Sequence, residues 1–190
     1  REIPKFSISD IKNLKNANYQ AVAYFVLNPF LKDLFSVEEI KQLISDAYQS
    51  FDEGIVSTTE LGENQLLNLF HGPTLAFKDY AMCLLAKIYD LYLRKKNQKL
   101  VIVGATSGDT GSAAIHAFKG IKNIDIFILH PHNATSVFQR KQMTTSGADN
   151  VFNIALEGSF DDCQTLVKKI FNDQSLNTKY QFTAINSINW

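Results

Sequence analysis

Leu100-Val101-Ile102-Val103-Gly104-Ala105-Thr106-Ser107-Gly108-Asp109-Thr110-Gly111-Ser112-Ala113-Ala114 decides the fold. The unbroken apolar run 100–103 reads as a strand buried on both faces, as parallel strands are. A Gly-rich turn follows. A helix then runs over 112–119, where Ala113, Ala114 and Ala117 let it lie close on the sheet. The rhythm repeats downstream. Residues 124–129 read as a second buried strand, 151–156 as a third strand, and 136–146 as a helix with Gly147 just after it. Ser159 caps a further helix, with Asp161 and Asp162 placed to favour its dipole. Strand–helix–strand alternation at roughly 25-residue spacing means βαβ units, hence an α/β fold with a parallel sheet and helices on both faces.

Upstream of this unit the pattern is helical and mixed. Residues 19–31 are dense in Ala, Val, Phe and Leu, and Asn28-Pro29 is expected to kink or end that helix. Ser36 with Glu39 forms an S-x-x-E capping box. Val37, Ile40, Leu43, Ile44, Ala47 and Phe51 follow as a 3.6-residue stripe, with Gly54 the expected C-cap. Residues 65–70 read as a strand, broken by His71-Gly72-Pro73-Thr74. A helix is expected over 79–95. The division that follows is a helical/mixed part over 1–75 and an α/β part over 76–190.

Composition bounds the function. The 190 residues include nineteen basic and nineteen acidic side chains, so the basic excess of a generic nucleic-acid binder is missing. No apolar run approaches the roughly 18 residues of a membrane span. Cys83 and Cys163 form neither a CxxC pair nor a disulfide framework, and read as reduced core thiols of a cytoplasmic protein. The chain opens on Arg1-Glu2-Ile3-Pro4 and closes on Ile188-Asn189-Trp190, which reads as part of something longer.

Three segments carry chemistry. In His71-Gly72-Pro73-Thr74-Leu75-Ala76-Phe77-Lys78-Asp79, a lysine with apolar neighbours precedes a helix. Desolvation and the positive helix end push such an amine toward its neutral, nucleophilic form. The same lysine also reads as a solvated helix-start residue whose stem covers apolar surface. In the turn 104–111, backbone N–H groups and hydroxyls form an anion cradle at a helix N-terminus, or a tight turn with no ligand. Its spacing is neither dinucleotide nor P-loop type, since Thr106 stands where a second Gly is needed and no Lys-Ser/Thr follows. Asp109 would repel a pyrophosphate. It suits a site that holds a carboxylate while the acid faces a cation or a hydroxyl. The third set is weaker. His130-Pro131-His132 lacks a nearby third metal ligand, Gln139-Arg140-Lys141-Gln142 reads as a solvated helix face, and Asn186-Ser187-Ile188-Asn189 is pocket wall or ordinary turn.

Taken together, 71–79, 104–114 and the ending 186–190 resemble the threonine synthase family, pyridoxal phosphate (PLP) enzymes of the tryptophan-synthase-β fold type. The resemblance runs through the whole chain, and Asp109 in S-G-D-T-G distinguishes the family from relatives with Asn there. It implies that Lys78 forms the internal aldimine with PLP and shuttles protons. It implies that Asp109 lies near the cofactor's 3′-oxygen. It implies that Thr106, Ser107, Gly108, Thr110 and Gly111 grip the substrate carboxylate, and that Asn186, Ser187 and Asn189 lie toward its phosphate end. The implied reaction converts O-phospho-L-homoserine and water to L-threonine and phosphate. The family is roughly twice this length or more, and its PLP-phosphate loop and pyridine-nitrogen partner are expected beyond residue 190, so this piece by itself is expected to be nearly inactive. The rival readings are a related phospholyase and a non-catalytic α/β anion-binding module. The oligomeric state is left open.

Overall fold

The computed structural model describes residues 3–52 and 54–185. In chain order the elements are α1 (Ile8–Asn13), α2 (Tyr19–Leu31), α3 (Val37–Tyr48), β1 (Ser57–Leu61), β2 (Asn64–Asn68), α4 (Lys78–Lys96), β3 (Leu100–Ala105), α5 (Asp109–Phe118), β4 (Ile124–Pro131), α6 (Val137–Thr144), β5 (Val151–Leu156), α7 (Phe160–Asn172), α8 (Gln174–Asn177) and β6 (Phe182–Ala184). Asn186, Ser187 and Asn189 lie outside the described residues.

Four strands form one sheet in the order β5-β4-β3-β6, with every pairing parallel. Helices cover both faces, as expected. Ile102, Ile126 and Ile128 pack with Met82 and Ala86 of α4, Ala113, Ile115 and Phe118 of α5, and Met143 of α6. Val103 and Leu129 turn to the other face, where Cys163 and Val167 of α7 meet them. Alternation along a strand puts neighbours on opposite faces, so burial on both sides produces the continuous apolar runs.

A second core lies at the N-terminal end. Ile40, Leu43, Ile44 and Ala47 of α3 bury against Leu31, Phe35 and Cys83. The capping box is formed: the Glu39 N–H donates to Ser36 Oγ (3.2 Å) and the Ser36 N–H to Glu39 Oε2 (2.8 Å). Tyr19, Tyr48, Phe51 and Tyr80 stack edge to face, with adjacent centroids 4.9–5.2 Å apart. α4 serves both cores, with Cys83 on one side and Met82, Ala86 and Leu93 on the other. Both cysteines are buried and free, and burial pushes the Cys83 thiol up to about 12.

Several expectations are corrected. Pro29 sits inside α2, which continues to Leu31, so the proline does not end the helix; it leaves the Phe25 carbonyl, four residues back, without its helical N–H donor. Gly54, with φ +88, is not a cap: α3 ends on Gln49 in right-handed geometry, before the glycine is reached. The strand over 65–70 pairs with β1, which is too polar to announce itself, across a two-residue turn opened by Gly62 at φ +62. α5 begins at Asp109 rather than 112, so Asp109, Thr110 and Gly111 form its first turn.

Asn150 ties the ends of α5 and β4 together. Its Nδ2 donates to the carbonyls of Phe118 (3.0 Å), Ile121 (3.3 Å) and Ile124 (2.8 Å), and its Oδ1 accepts from Gly120 N–H (2.7 Å). Asn150→Asp keeps the shape but removes the donors. It is expected to lower unfolding stability by about 2 kcal/mol in urea titrations, because partly buried carbonyls lose their partners.

Candidate active site

The turn after β3 is organised around a buried hydroxyl. Thr106 Oγ1 accepts from the N–H groups of Gly108 (3.0 Å) and Gly111 (2.8 Å). Its own N–H continues the sheet by donating to the Leu129 carbonyl (2.9 Å). Gly108 has φ +151, and a Cβ there would lie 2.1 Å from Gln139 Oε1. A Cβ on Gly111 would lie 2.5 Å from Thr106 Cγ2 and 2.8 Å from Met143 Sδ. Gly111 is therefore needed for close approach, whereas Gly108 is needed for its positive φ as well, since the Gln139 tip it meets is the end of a flexible side chain. Among the described residues the N–H groups of Ser107 and Thr110 have no protein partner, and they open the positive end of α5.

Lys78 is the first residue of α4 and is buried, at 7% exposure. Its Nζ lies 3.1 Å from Asp109 Oδ2 and 4.2 Å from the Phe77 ring centroid. The apolar collar expected around it is open, since Leu75 and Phe77 are exposed. Asp109 meets the amine instead, so the resting lysine sits in an ion pair rather than in an apolar sleeve. Burial raises the Asp109 carboxyl, but the hydrogen bond from Lys78, its own backbone N–H, the Lys78 charge and the Gln139 amide outweigh this and hold it below the usual carboxylate value.

The approach to Lys78 is clamped. Asp79 is fully buried and accepts from Thr74 N–H at Oδ2 (2.8 Å) and from Thr74 Oγ1 at Oδ1 (2.6 Å). Gly72 presses on it, since a Cβ there would lie 2.5 Å from Asp79 Cβ. Leu75 takes the left-handed region at φ +63, a conformation costing a non-glycine residue about 1 kcal/mol. The clamp holds it there.

The cleft has a volume of about 460 Å³ and is walled by Phe70, Phe77, Phe138, Ser112, Gln139 and Asp109. A groove of about 470 Å³ against α7 is lined by Val103, Phe127 and Phe182, on the sheet face away from α4, and offers no such chemistry. His130 is buried in β4, whereas the His132 side chain is half exposed and 3.8 Å from Glu157.

The stretch 139–142 corrects the solvated-face reading. Gln139 Nε2 donates to Asp109 Oδ1 (2.8 Å), and Gln142 Nε2 to the Thr74 carbonyl (3.2 Å). Their i,i+3 spacing was the available signal. Thr74 and Asp79 hold the lysine's turn, a role that the local motif does not reveal because their contact forms only when the turn folds back on α4.

Over residues 60–189, more than half of the chain, the sequence matches the family model described as pyridoxal-phosphate dependent enzyme. The chain belongs to that family, whose cofactor is pyridoxal phosphate. Its particular likeness is to threonine synthases. Residues 1–48 match the model for the threonine synthase N terminus. The chain is 44% identical to threonine synthase of Pseudomonas aeruginosa, over 99% of this chain and 40% of that one. It is 40% identical to the Schizosaccharomyces pombe threonine synthase, over 100% and 39%. A PLP-bound threonine synthase structure from Brucella melitensis superposes with TM-score 0.92 at 44% identity, covering 100% of this chain and 41% of that one. The chain thus spans about 40% of the length of these relatives.

The Lys78–Asp109 pair makes stability depend on pH. The folded Asp109 value is depressed, so its contribution is present above the unfolded carboxylate value of about 3.9 and is lost as pH falls through the folded value. Asp109 is half exposed, which limits the effect to below about 1 kcal/mol. Asp109→Asn is therefore expected to be slightly less stable than the parent at pH 6, with the gap closing as pH falls below the free carboxylate value in urea titrations.

Proposed function

We propose that this chain supplies the lysine side of a threonine synthase active site, for conversion of O-phospho-L-homoserine and water to L-threonine and phosphate. The carrying observation is the juxtaposition of a buried amine, Lys78, with Asp109 at the mouth of a backbone cradle. Similarity to threonine synthases along the whole chain supports the substrate. The residues fit the reactive end of PLP. The amine is at hand, the aromatic rim of Phe70, Phe77 and Phe138 suits a planar ring, and a single carboxylate stands beside the amine. When bound, PLP supplies an electron sink for pairs released at the substrate's carbons.

The chain's own groups do the rest. Lys78 Nζ binds the cofactor and moves protons on and off the substrate carbons as phosphate leaves Cγ and water adds at Cβ. Asp109 would lie near the cofactor's 3′-oxygen. The N–H groups of Ser107 and Thr110, with the Ser107 hydroxyl, receive the substrate carboxylate at the positive end of α5. Thr106, Gly108 and Gly111 shape that cradle from within. Asn186, Ser187 and Asn189 extend the site toward the substrate phosphate. Two buried free thiols suit a reducing, cytoplasmic setting.

Incubation of the chain with PLP, borohydride reduction and peptide mass spectrometry should place a single pyridoxyl group on Lys78 and none in Lys78→Ala. In the full-length protein that contains this chain, phosphohomoserine should yield threonine, and Lys78→Ala should lower the rate by about 10³-fold or more. A keto acid product would instead mark a phospholyase. Anion binding that survives Lys78→Ala with no labelling would mark a binding module. The 190-residue chain alone is expected to turn over little or no substrate.

A further inference from the structure

Lys78 has one nitrogen. Once that nitrogen is bonded to a cofactor carbonyl, it no longer serves Asp109 as a free ammonium partner. Asp109 is half exposed, and a carboxylate left without partners there would swing and take up a proton more easily. The second group touching it is Gln139, at the first turn of α6. Gln139 Nε2 donates to Asp109 Oδ1 at 2.8 Å. Gln139 Oε1 accepts from Ser136 Oγ at 2.9 Å, and the same hydroxyl accepts from Gln139 N–H at 3.2 Å. This closed loop fixes which end of the amide faces Asp109. Below the amide lies Gly108, where any Cβ would strike Oε1 and Cδ at 2.1 and 2.5 Å. The glycine of S-G-D-T-G is thus the floor on which Gln139 rests. The helices are also knitted at this point, since Ser112 Oγ donates to the Gly108 carbonyl (2.9 Å) and reaches the Gln139 carbonyl at 3.4 Å.

We propose that Gln139 is a positioning residue of this site: seated on Gly108 and oriented by Ser136, its amide holds Asp109 in place and ionised when Lys78 is engaged elsewhere. The inference deepens the Lys78–Asp109 reading and rests on it. Among the described residues, Lys78 from α4 is the charged side chain paired with Asp109, and α6 presents it with the neutral Gln139. Arg140, the next residue of α6, is turned to Asn133.

The test follows the Asp109 carboxyl by ¹³C NMR through a pH titration of the 190-residue chain, in the parent, Gln139→Leu, Lys78→Ala and the double variant. Far-UV circular dichroism checks folding. The Asp109 midpoint should rise in Gln139→Leu. It should rise further in the double variant than in Lys78→Ala alone, by about 0.5 pH unit or more. Gln139→Glu, which sets a like charge against Asp109, should raise it most and keeps the test usable if Gln139→Leu fails to fold. A midpoint unmoved by either Gln139 substitution overturns the proposal. The borohydride trap on Lys78 separates the two readings. With the trap run on the full-length protein that contains this chain, labelling of Lys78 with an unmoved midpoint sinks the role of Gln139 alone, whereas an unlabelled Lys78 there with a shifted midpoint sinks the cofactor role of Lys78 alone.

Discussion

One hydroxyl sets the geometry on which the site depends. Thr106 Oγ1, itself buried, takes the N–H groups of Gly108 and Gly111 out of circulation. Leaving those donors unpaired in the interior would cost about 1–3 kcal/mol each. With them satisfied from below, the chain leaves β3 and enters α5 with no slack, and the N–H groups of Ser107 and Thr110 stay at the positive end of α5 without a partner among the described residues. The small residues that follow extend the constraint. Ser112, Ala113 and Ala114 are buried where α5 presses on the sheet, and Gly111 leaves no room for a side chain between Thr106 and Met143.

The second fixed body is α4. It is wedged between two cores, so its first residue inherits the rigidity of both. The helix has no side-chain cap at Phe77, and Asp79 is used instead to tie down the preceding turn through Thr74. That arrangement tolerates Leu75 in a left-handed conformation immediately before the lysine. Strain of this kind persists where surrounding contacts over-determine the backbone, and such places cluster at functional sites. Two rigid helix starts, α4 and α5, thereby deliver an amine and a carboxylate to a separation of 3.1 Å. α6 contributes from the third side, with Gln142 on the Thr74 carbonyl and Gln139 on Asp109.

The chemistry is consistent with this economy of parts. An amine, a carboxylate and a backbone cradle are drawn from segments 31 residues apart. None is mobile on its own: each sits at the first turn of a packed helix. Preorganisation of that sort lets a few polar groups act strongly, because little rearrangement is required when charge moves.

What the sequence by itself determined was periodic or local. The apolar runs of β3, β4 and β5, the capping box at Ser36, the N-cap at Ser159, and the glycine-rich turn before α5 follow from spacing and short-range hydrogen bonding, and they are legible without a structure. Lys78 and Asp109 were legible too, as members of recognisable motifs. The tertiary structure decided what depends on contact between distant segments. Local pattern allowed a kink or an end at Pro29, and the helix runs past it to Leu31. The polar β1 gained its identity only by pairing with β2. Gln139 and Gln142 looked like surface, because an amide carries no sign of its partner until α6 is laid against α5 and the Thr74 turn. Thr106 looked like a ligand-facing hydroxyl, and the fold turned it inward to satisfy two backbone donors. In each case the deciding energy is a hydrogen bond or a packing contact between residues far apart in the chain, and a one-dimensional pattern does not encode which such partners meet.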